Sequence, residues 1–270
     1  MLGAIYGDIV GSRFELSGFN EYDFPMFHPS CHFTDDTLMT LAVALTLVVT
    51  RNNRDNYKNT LIRNMKDIAH KHPNVGWGKM FYAWLFKYSV PTPLNSYGNG
   101  SAMRISPVGW VCDTLEETIE LSKLTTEITH NHPEGIKGAQ AVAYAIFRAR
   151  NDFNRVDIIP GREELKEFIG YVKDYSGYNL NFQLEDVTNK FDETCQGTVP
   201  VALKIIYESN SFEDAIRRAV SLGADADTLG AIVGSIAEAI WGIPLEISTS
   251  VLSYLDLRIV ELLIDWKCKK

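Results

Sequence analysis

Two short stretches, far apart in the chain, place carboxylates and hydroxyls side by side. The first is Thr34-Asp35-Asp36-Thr37, followed at once by an apolar run from Leu38. The second is Gly223-Ala224-Asp225-Ala226-Asp227-Thr228, followed by the small-residue run Leu229 to Trp241. Thr and Asp are favourable N-caps and acids there complement the helix dipole, so helix capping explains either stretch alone. A cap needs one oxygen, however, and each stretch supplies two acids beside Thr hydroxyls. Were the two following helices buried side by side with matching ends, four carboxylates would converge. Without a counter-charge such a cluster is unfavourable and some of its acids stay protonated. Divalent cations resolve the conflict. The donors are hard oxygens with no His or Cys, which suits Mg²⁺ or Mn²⁺ rather than zinc. An aspartate between two ions could bridge them at about 3.5–4 Å, as in two-metal hydrolytic sites.

Other readings of these residues fail on spacing. In Asp225-Ala226-Asp227-Thr228 the Thr follows the second Asp directly and no strand pattern precedes it, unlike the loop of aspartyl-phosphate enzymes. An EF-hand loop needs Glu at its twelfth position, and Ile236 stands there. Gly230 and Gly234 form a G-x-x-x-G, but in an apolar stretch too short for a membrane helix, so close packing of buried helices explains them better.

A glycine-bearing loop, Ser96-Tyr97-Gly98-Asn99-Gly100-Ser101, runs into Ala102-Met103-Arg104 ahead of a predicted helix. Backbone N–H groups there could cradle an anion, or the segment could be a plain turn. It is no P-loop, since the G-K-S/T ending is absent. His130-Asn131-His132 closes one predicted helix, where a His is commonly a capping partner. Near the N-terminus, Asp8 could satisfy backbone donors and Glu15 could be a surface residue.

The elements that must carry these groups read as helices. Phe212, Ala215, Ile216, Ala219 and Val220 follow helical spacing behind a Ser211/Asp214 capping box. Thr114 and Glu117 suggest a second capping box, opening a helix toward Thr129. Pro133 suits the first turn of a helix to about Arg150. Further helices are expected over 38–49, 55–71, 161–175, 199–209, 229–241 and 250–267. Strand alternation is scarce, so the expected fold is all-α: a compact single-domain helical bundle spanning 1–270. Residues 151–197 are more polar, with Pro160-Gly161 and Ser176-Gly177, and read as a peripheral insertion, a loop-rich lid, or two ordinary surface helices.

Composition narrows the function classes. At 270 residues the chain sits near the upper limit for one core. A formal net charge of −8 argues against a broad footprint on duplex nucleic acid. The four cysteines are scattered with no C-x-x-C pair, so no disulfide framework is expected and a reducing, cytoplasmic setting fits. The start of the chain lacks the basic and apolar regions of a secretory signal, and the run Leu38 to Val49 is too short to span a bilayer.

Taken in order, Gly7-Asp8 through Glu15, Thr34 through Thr37, Ser96 through Arg104, Thr129-His130 with Pro133-Glu134-Gly135, and Gly223 through Thr228 resemble the ADP-ribosylglycohydrolase family over nearly the whole chain. One departure is Ala224, where the family usually has a second glycine. The resemblance implies an all-α fold with two Mg²⁺ or Mn²⁺ ions at the base of a cleft. It implies one ligand set from Thr34, Asp35 and Asp36 and another from Asp225, Asp227 and Thr228, with Asp227 as bridge. Ser96, Tyr97, Gly98, Asn99, Gly100 and Ser101 would cradle a diphosphate, and His130 would line the same pocket. Glu15 matches a glutamate near the distal ribose, and Glu15 or Asp36 would handle the proton. The implied reaction is hydrolysis of the N- or O-glycosidic bond between ADP-ribose and a protein side chain or small acceptor. Two other classes remain at this stage: an ADP-ribose-binding or structural protein on the same fold, and a two-metal phosphoester hydrolase.

Overall fold

The chain is described by a computed structural model covering residues 1–153 and 159–269, excluding the side chains of residues 248 and 267–269. Its helices are α1 (Leu2–Gly11), α2 (Asp35–Val49), α3 (Tyr57–Lys71), α4 (Lys79–Phe86), α5 (Gly100–Met103), α6 (Ser106–Val111) and α7 (Leu115–Thr126). They continue as α8 (Pro133–Phe153), α9 (Arg162–Ser176), α10 (Cys195–Glu208), α11 (Phe212–Val220), α12 (Ala226–Trp241), α13 (Leu245–Leu252) and α14 (Leu257–Lys269). Among the described residues there is no strand, only an isolated antiparallel bridge between Gly98 and Thr194. No helix of the described residues is long and apolar enough to cross a membrane.

The core forms around α12 and α8, because both carry apolar or small residues on nearly every face. Residues 226–237 of α12 are all buried, and α8 buries Ala139, Val142, Ala145 and Ile146. Small residues let backbones approach. A Cβ on Gly7 would lie 1.9 Å from the carbonyl oxygen of Gly230, and one on Gly3 would lie 2.2 Å from that of Gly234. The glycine pair of α12 therefore serves close packing, and its partner is α1.

Helix α1 was absent from the sequence-based expectations, and its cause is this stripe: Gly3, Gly7 and Gly11 repeat at helical spacing and face Gly234, Gly230 and Ala226. A helix so glycine-rich has low intrinsic propensity and forms because it is packed. At the other end, the single helix expected over 250–267 is two. Asp256 Oδ1 accepts from the N–H of Ile259, so a cap interrupts the run and starts α14. The helix expected over 161–175 is α9, Arg162–Ser176, whose Leu165, Phe168, Ile169 and Val172 join the core. Residues 177–194 are mostly loop, and residues 154–158 of that polar stretch lie outside the described residues.

The expected caps are present with one shift. Thr114 Oγ1 accepts from Glu117 N–H, and Ser211 Oγ from Asp214 N–H. Each acid then reaches back to the residue before the cap, Asp113 or Asn210, rather than to the cap itself. Cys31, Cys112 and Cys195 are buried free thiols; Cys268 lies outside the described side chains.

Candidate active site

Three helix ends meet at one point. Asp8 on α1 is fully buried and takes four donors from the start of α2: the N–H of Thr34 (3.0 Å), the Thr34 hydroxyl (2.8 Å), the N–H of Thr37 (3.1 Å) and the Thr37 hydroxyl. Thr34 also caps α2, accepting from Asp36 N–H at 3.2 Å. Capping and site-building thus use the same residue. Asp36 Oδ2 accepts from the hydroxyl of Thr228, at the head of α12, at 3.2 Å. Asp225 Oδ2 accepts from Asn99 Nδ2 at 2.7 Å, which ties the same point to the glycine loop.

The result is two groups of carboxylates with one member in common. Oxygens of Asp8, Asp36 and Asp227 all lie within 4.8 Å of one another, and so do oxygens of Glu15, Asp225 and Asp227. All but Glu15 are buried. Burial pushes each of these acids upward, and in Glu15, Asp36 and Asp227 the charges of neighbouring acids add to it. Asp36 is raised further by Asp8, Asp35 and Asp225, and Asp227 by Asp36, Asp225, Asp8 and Glu15. In Asp8 and Asp225 hydrogen bonds oppose the desolvation. Asp36 Oδ1 is buried with no hydrogen-bond partner. The ion pairs of the described residues involve none of these acids. Clustered buried carboxylates, an orphaned oxygen and hard-oxygen donors alone fit a divalent cation.

The cluster floors a cleft of about 480 Å³. Asp35 lines this cleft and is raised by burial and then by Asp8, but it belongs to neither group. Glu15 sits exposed on the rim, raised by desolvation, then by Asp225 and Glu193. Ser96, Gly98, Asn99, Gly100 and His130 form part of the wall. Tyr97 and Ser101 fall outside it. The Tyr97 ring packs edge-on against His132, and the Ser101 hydroxyl donates to the Gly135 carbonyl at 2.8 Å.

The loop's backbone differs from a free anion cradle. The N–H of Gly98 donates to Ser96 Oγ and that of Asn99 to the Glu193 carbonyl. The bonds Asn99 to Glu193 and Cys195 to Tyr97 lash the loop to the start of α10. Ala224, the departure from the family pattern, is harmless for a local reason. The strained position is Gly223, at φ +63°, where a Cβ would sit 2.1 Å from Asn189 Oδ1.

Asp8 is the member of the cluster that motif reading missed as a site residue. Its signal lay in the glycine stripe of α1, which predicts a backbone pressed against a small-residue helix and so an Asp8 beside Asp227. Glu193 and Phe191, in the polar stretch before α10, also line the cleft. Loop residues of that kind carry no spacing signal.

An all-α body whose helix ends gather acids beneath a cleft is built to hold and transform a ligand there. The chain belongs to the ADP-ribosylglycohydrolase family, whose model matches residues 1–265. It is 26% identical over 268 residues to the ADP-ribosylarginine hydrolase Tri1 of Pseudomonas putida, covering 90% of this chain and 70% of that protein. A stretch of 149 residues is 30% identical to an uncharacterised protein of Archaeoglobus fulgidus, covering 52% of this chain and 48%, about half, of that protein. Among solved structures, an ADP-ribosylglycohydrolase-related protein complex has the same fold, with TM-score 0.70 and 21% identity over 98% of this chain and 95% of that one. The family is enzymatic, and a further relative, 25% identical over 84% of this chain and 74% of that protein, is the ADP-ribosyl-[dinitrogen reductase] glycohydrolase of Rhodospirillum rubrum.

Proposed function

We propose that this chain is a metal-dependent hydrolase that cleaves the glycosidic bond between ADP-ribose and a modified protein side chain or small conjugate. The observation that carries the reading is the pair of carboxylate groups sharing Asp227. Two Mg²⁺ or Mn²⁺ ions would fit there, one beside Asp36 and Asp227 with the Thr228 and Thr34 hydroxyls adjoining, the other beside Asp225 and Asp227. Asp35 supports the same floor from the cleft side. Such ions supply Lewis-acid charge that orients sugar hydroxyls.

The protein's own groups do the rest. The floor acids fix the ribose so that its anomeric carbon, which gains oxocarbenium character, faces the water. Water adds to that carbon, the bond to the acceptor breaks, and the acceptor leaves with a proton. Glu15 is the better proton carrier of the two acids singled out. It is open to the cleft, where desolvation and then Asp225 raise its carboxyl, whereas Asp36 is buried and bonded to Thr228. Ser96, Gly98, Asn99, Gly100 and His130 bound the space for the diphosphate, with Tyr97 and Ser101 supporting them from outside it. Kinship to Tri1 makes an arginine-linked ADP-ribose the first acceptor to try.

A panel of arginine-, serine- and O-acetyl-linked ADP-ribose, assayed for free ADP-ribose with and without chelator, tests this. Release from at least one linkage, abolished by chelator and restored by Mg²⁺ or Mn²⁺, is expected. No release from any member, or release indifferent to chelator, overturns the reading.

A further inference from the structure

A fully buried guanidinium is part of the cleft lining beside His130. Arg104 is 1% exposed, and burial pushes its pKa down to about 10. Its one side-chain hydrogen bond among the described residues runs from Nη2 to Thr129 Oγ1 at 2.7 Å, while its Nε and Nη1 have no partner. Thr129 is wholly buried, and its Oγ1 lies 2.7 Å from His130 Nδ1.

The direction of the second bond follows from the first. A guanidinium donates and never accepts, so Thr129 Oγ1 must accept from Arg104. A threonine hydroxyl has one proton to give. Buried, with His130 Nδ1 as the acceptor within reach, it gives that proton to the imidazole, because an unsatisfied buried donor is costly. Nδ1 is therefore the ring's acceptor, and the ring proton resides on Nε2. The opposite tautomer would leave the hydroxyl facing two donors with its own proton unplaced. Charging the ring would set a second cation beside the guanidinium, and burial and Arg104 both hold His130 well below the ordinary imidazole range.

Nε2 is the atom turned toward the glycine loop. A Cβ on Gly100 would lie 3.2 Å from it, and one on Gly98 would lie 3.7 Å. With the N–H groups of Gly98 and Asn99 already engaged inside the fold, a fixed side-chain donor at this place has a distinct use. We infer that Arg104 and Thr129 are positioning residues that lock His130 as a neutral Nε2–H donor aimed at an anionic oxygen of the ligand held by the Ser96–Ser101 loop. The ligand's identity rests on the function proposed above; the tautomer does not.

The test separates the two. Ligand-free protein labelled with ¹⁵N-histidine is examined by long-range ¹H–¹⁵N correlation at neutral pH. The His130 Nε2 resonance is expected in the protonated range and Nδ1 in the unprotonated range. Thr129→Val removes the hydroxyl at nearly constant shape and should shift this signature toward the Nδ1–H form or a mixture, while Thr129→Ser restores it. Thr129→Val should also weaken ADP-ribose binding by about tenfold, with Thr129→Ser near wild type. A wild-type ring protonated on Nδ1, or charged at neutral pH, overturns the inference whether or not any variant folds. So does a Thr129→Val spectrum unchanged from wild type. Failure of ADP-ribose to bind the wild-type protein, with the expected tautomer present, counts against the proposed ligand and leaves the relay standing.

Discussion

The hydroxyl of Thr228 donates to Asp36 Oδ2 at 3.2 Å, joining the first turn of α12 to the first turn of α2. These helices begin far apart in sequence, yet their acid-bearing ends share one floor with Asp8 of α1. What each acid does for the fold and for a bound cation can therefore be separated by experiment.

Asp227 belongs to both carboxylate groups, so its removal reaches both candidate cation positions. Asp227→Ala should weaken Mn²⁺ binding by more than about a hundredfold, since even neighbours of ligands matter by 10–100-fold, and abolish turnover. The metal-free variant should melt no lower than metal-free wild type, because a buried charge repelled by Asp36 and Asp225 has gone. Calorimetry with Mn²⁺ and melting in chelator check both halves; wild-type affinity in the variant would refute the shared role.

Stability and pH are linked through the same acids. Asp36 and Asp227 are raised well above the ordinary carboxylate range. Between about 4, the unfolded value, and the raised folded value, the folded protein holds more protons than the unfolded one. Metal-free stability from these groups is thus fullest below that window and declines as pH rises through it. A cation displaces the protons, so the gain in Tm from Mg²⁺ over chelator should widen from about pH 5 to about pH 8. A gain that stays flat or narrows would contradict the linkage.

The contact between α1 and α12 predicts a contrast between two glycines. Gly7→Ala drives a Cβ against the Gly230 carbonyl, a backbone atom, and should cost about 3 kcal/mol or more. Gly170→Ala, in α9 with open space around it, should stabilise by about 0.5–1 kcal/mol. Urea unfolding of both variants measures the difference, and equal midpoints would mean the helices can move apart freely.

Glu15 stands exposed at the rim, so Glu15→Gln should leave folding stability within about 0.5 kcal/mol of wild type. If it carries the proton, kcat falls by about a hundredfold or more while ADP-ribose affinity changes little. Steady-state kinetics beside product binding decide it. An undiminished kcat would move the proton role to another group.

The helical period made most of the fold legible, because α2, α8, α11 and α12 each bury a continuous apolar face. The paired acid motifs of residues 34–37 and 223–228 were readable because two carboxylates exceed what a cap requires. Asp8 was missed because its helix is written in glycines, which local propensity reads as loop, and only a partner helix makes them helical. The break at Ser253–Asp256 was missed for the opposite reason: the apolar pattern continues across it while one Asp cap stops it. Glu193 and Phe191 reach the cleft through loop geometry that no periodicity encodes.

Because main chain meets main chain between Gly7 and Gly230, the spacing between Asp8 and Asp227 is held by two rods at their shortest separation rather than by rotatable side chains. A jaw set this way resists retuning by ordinary core substitutions, since no intervening side chain exists to enlarge or shrink. Diversification toward new acceptors would then fall to the outer rim, around Phe191 and Glu193, where sequence can drift without disturbing the grip below.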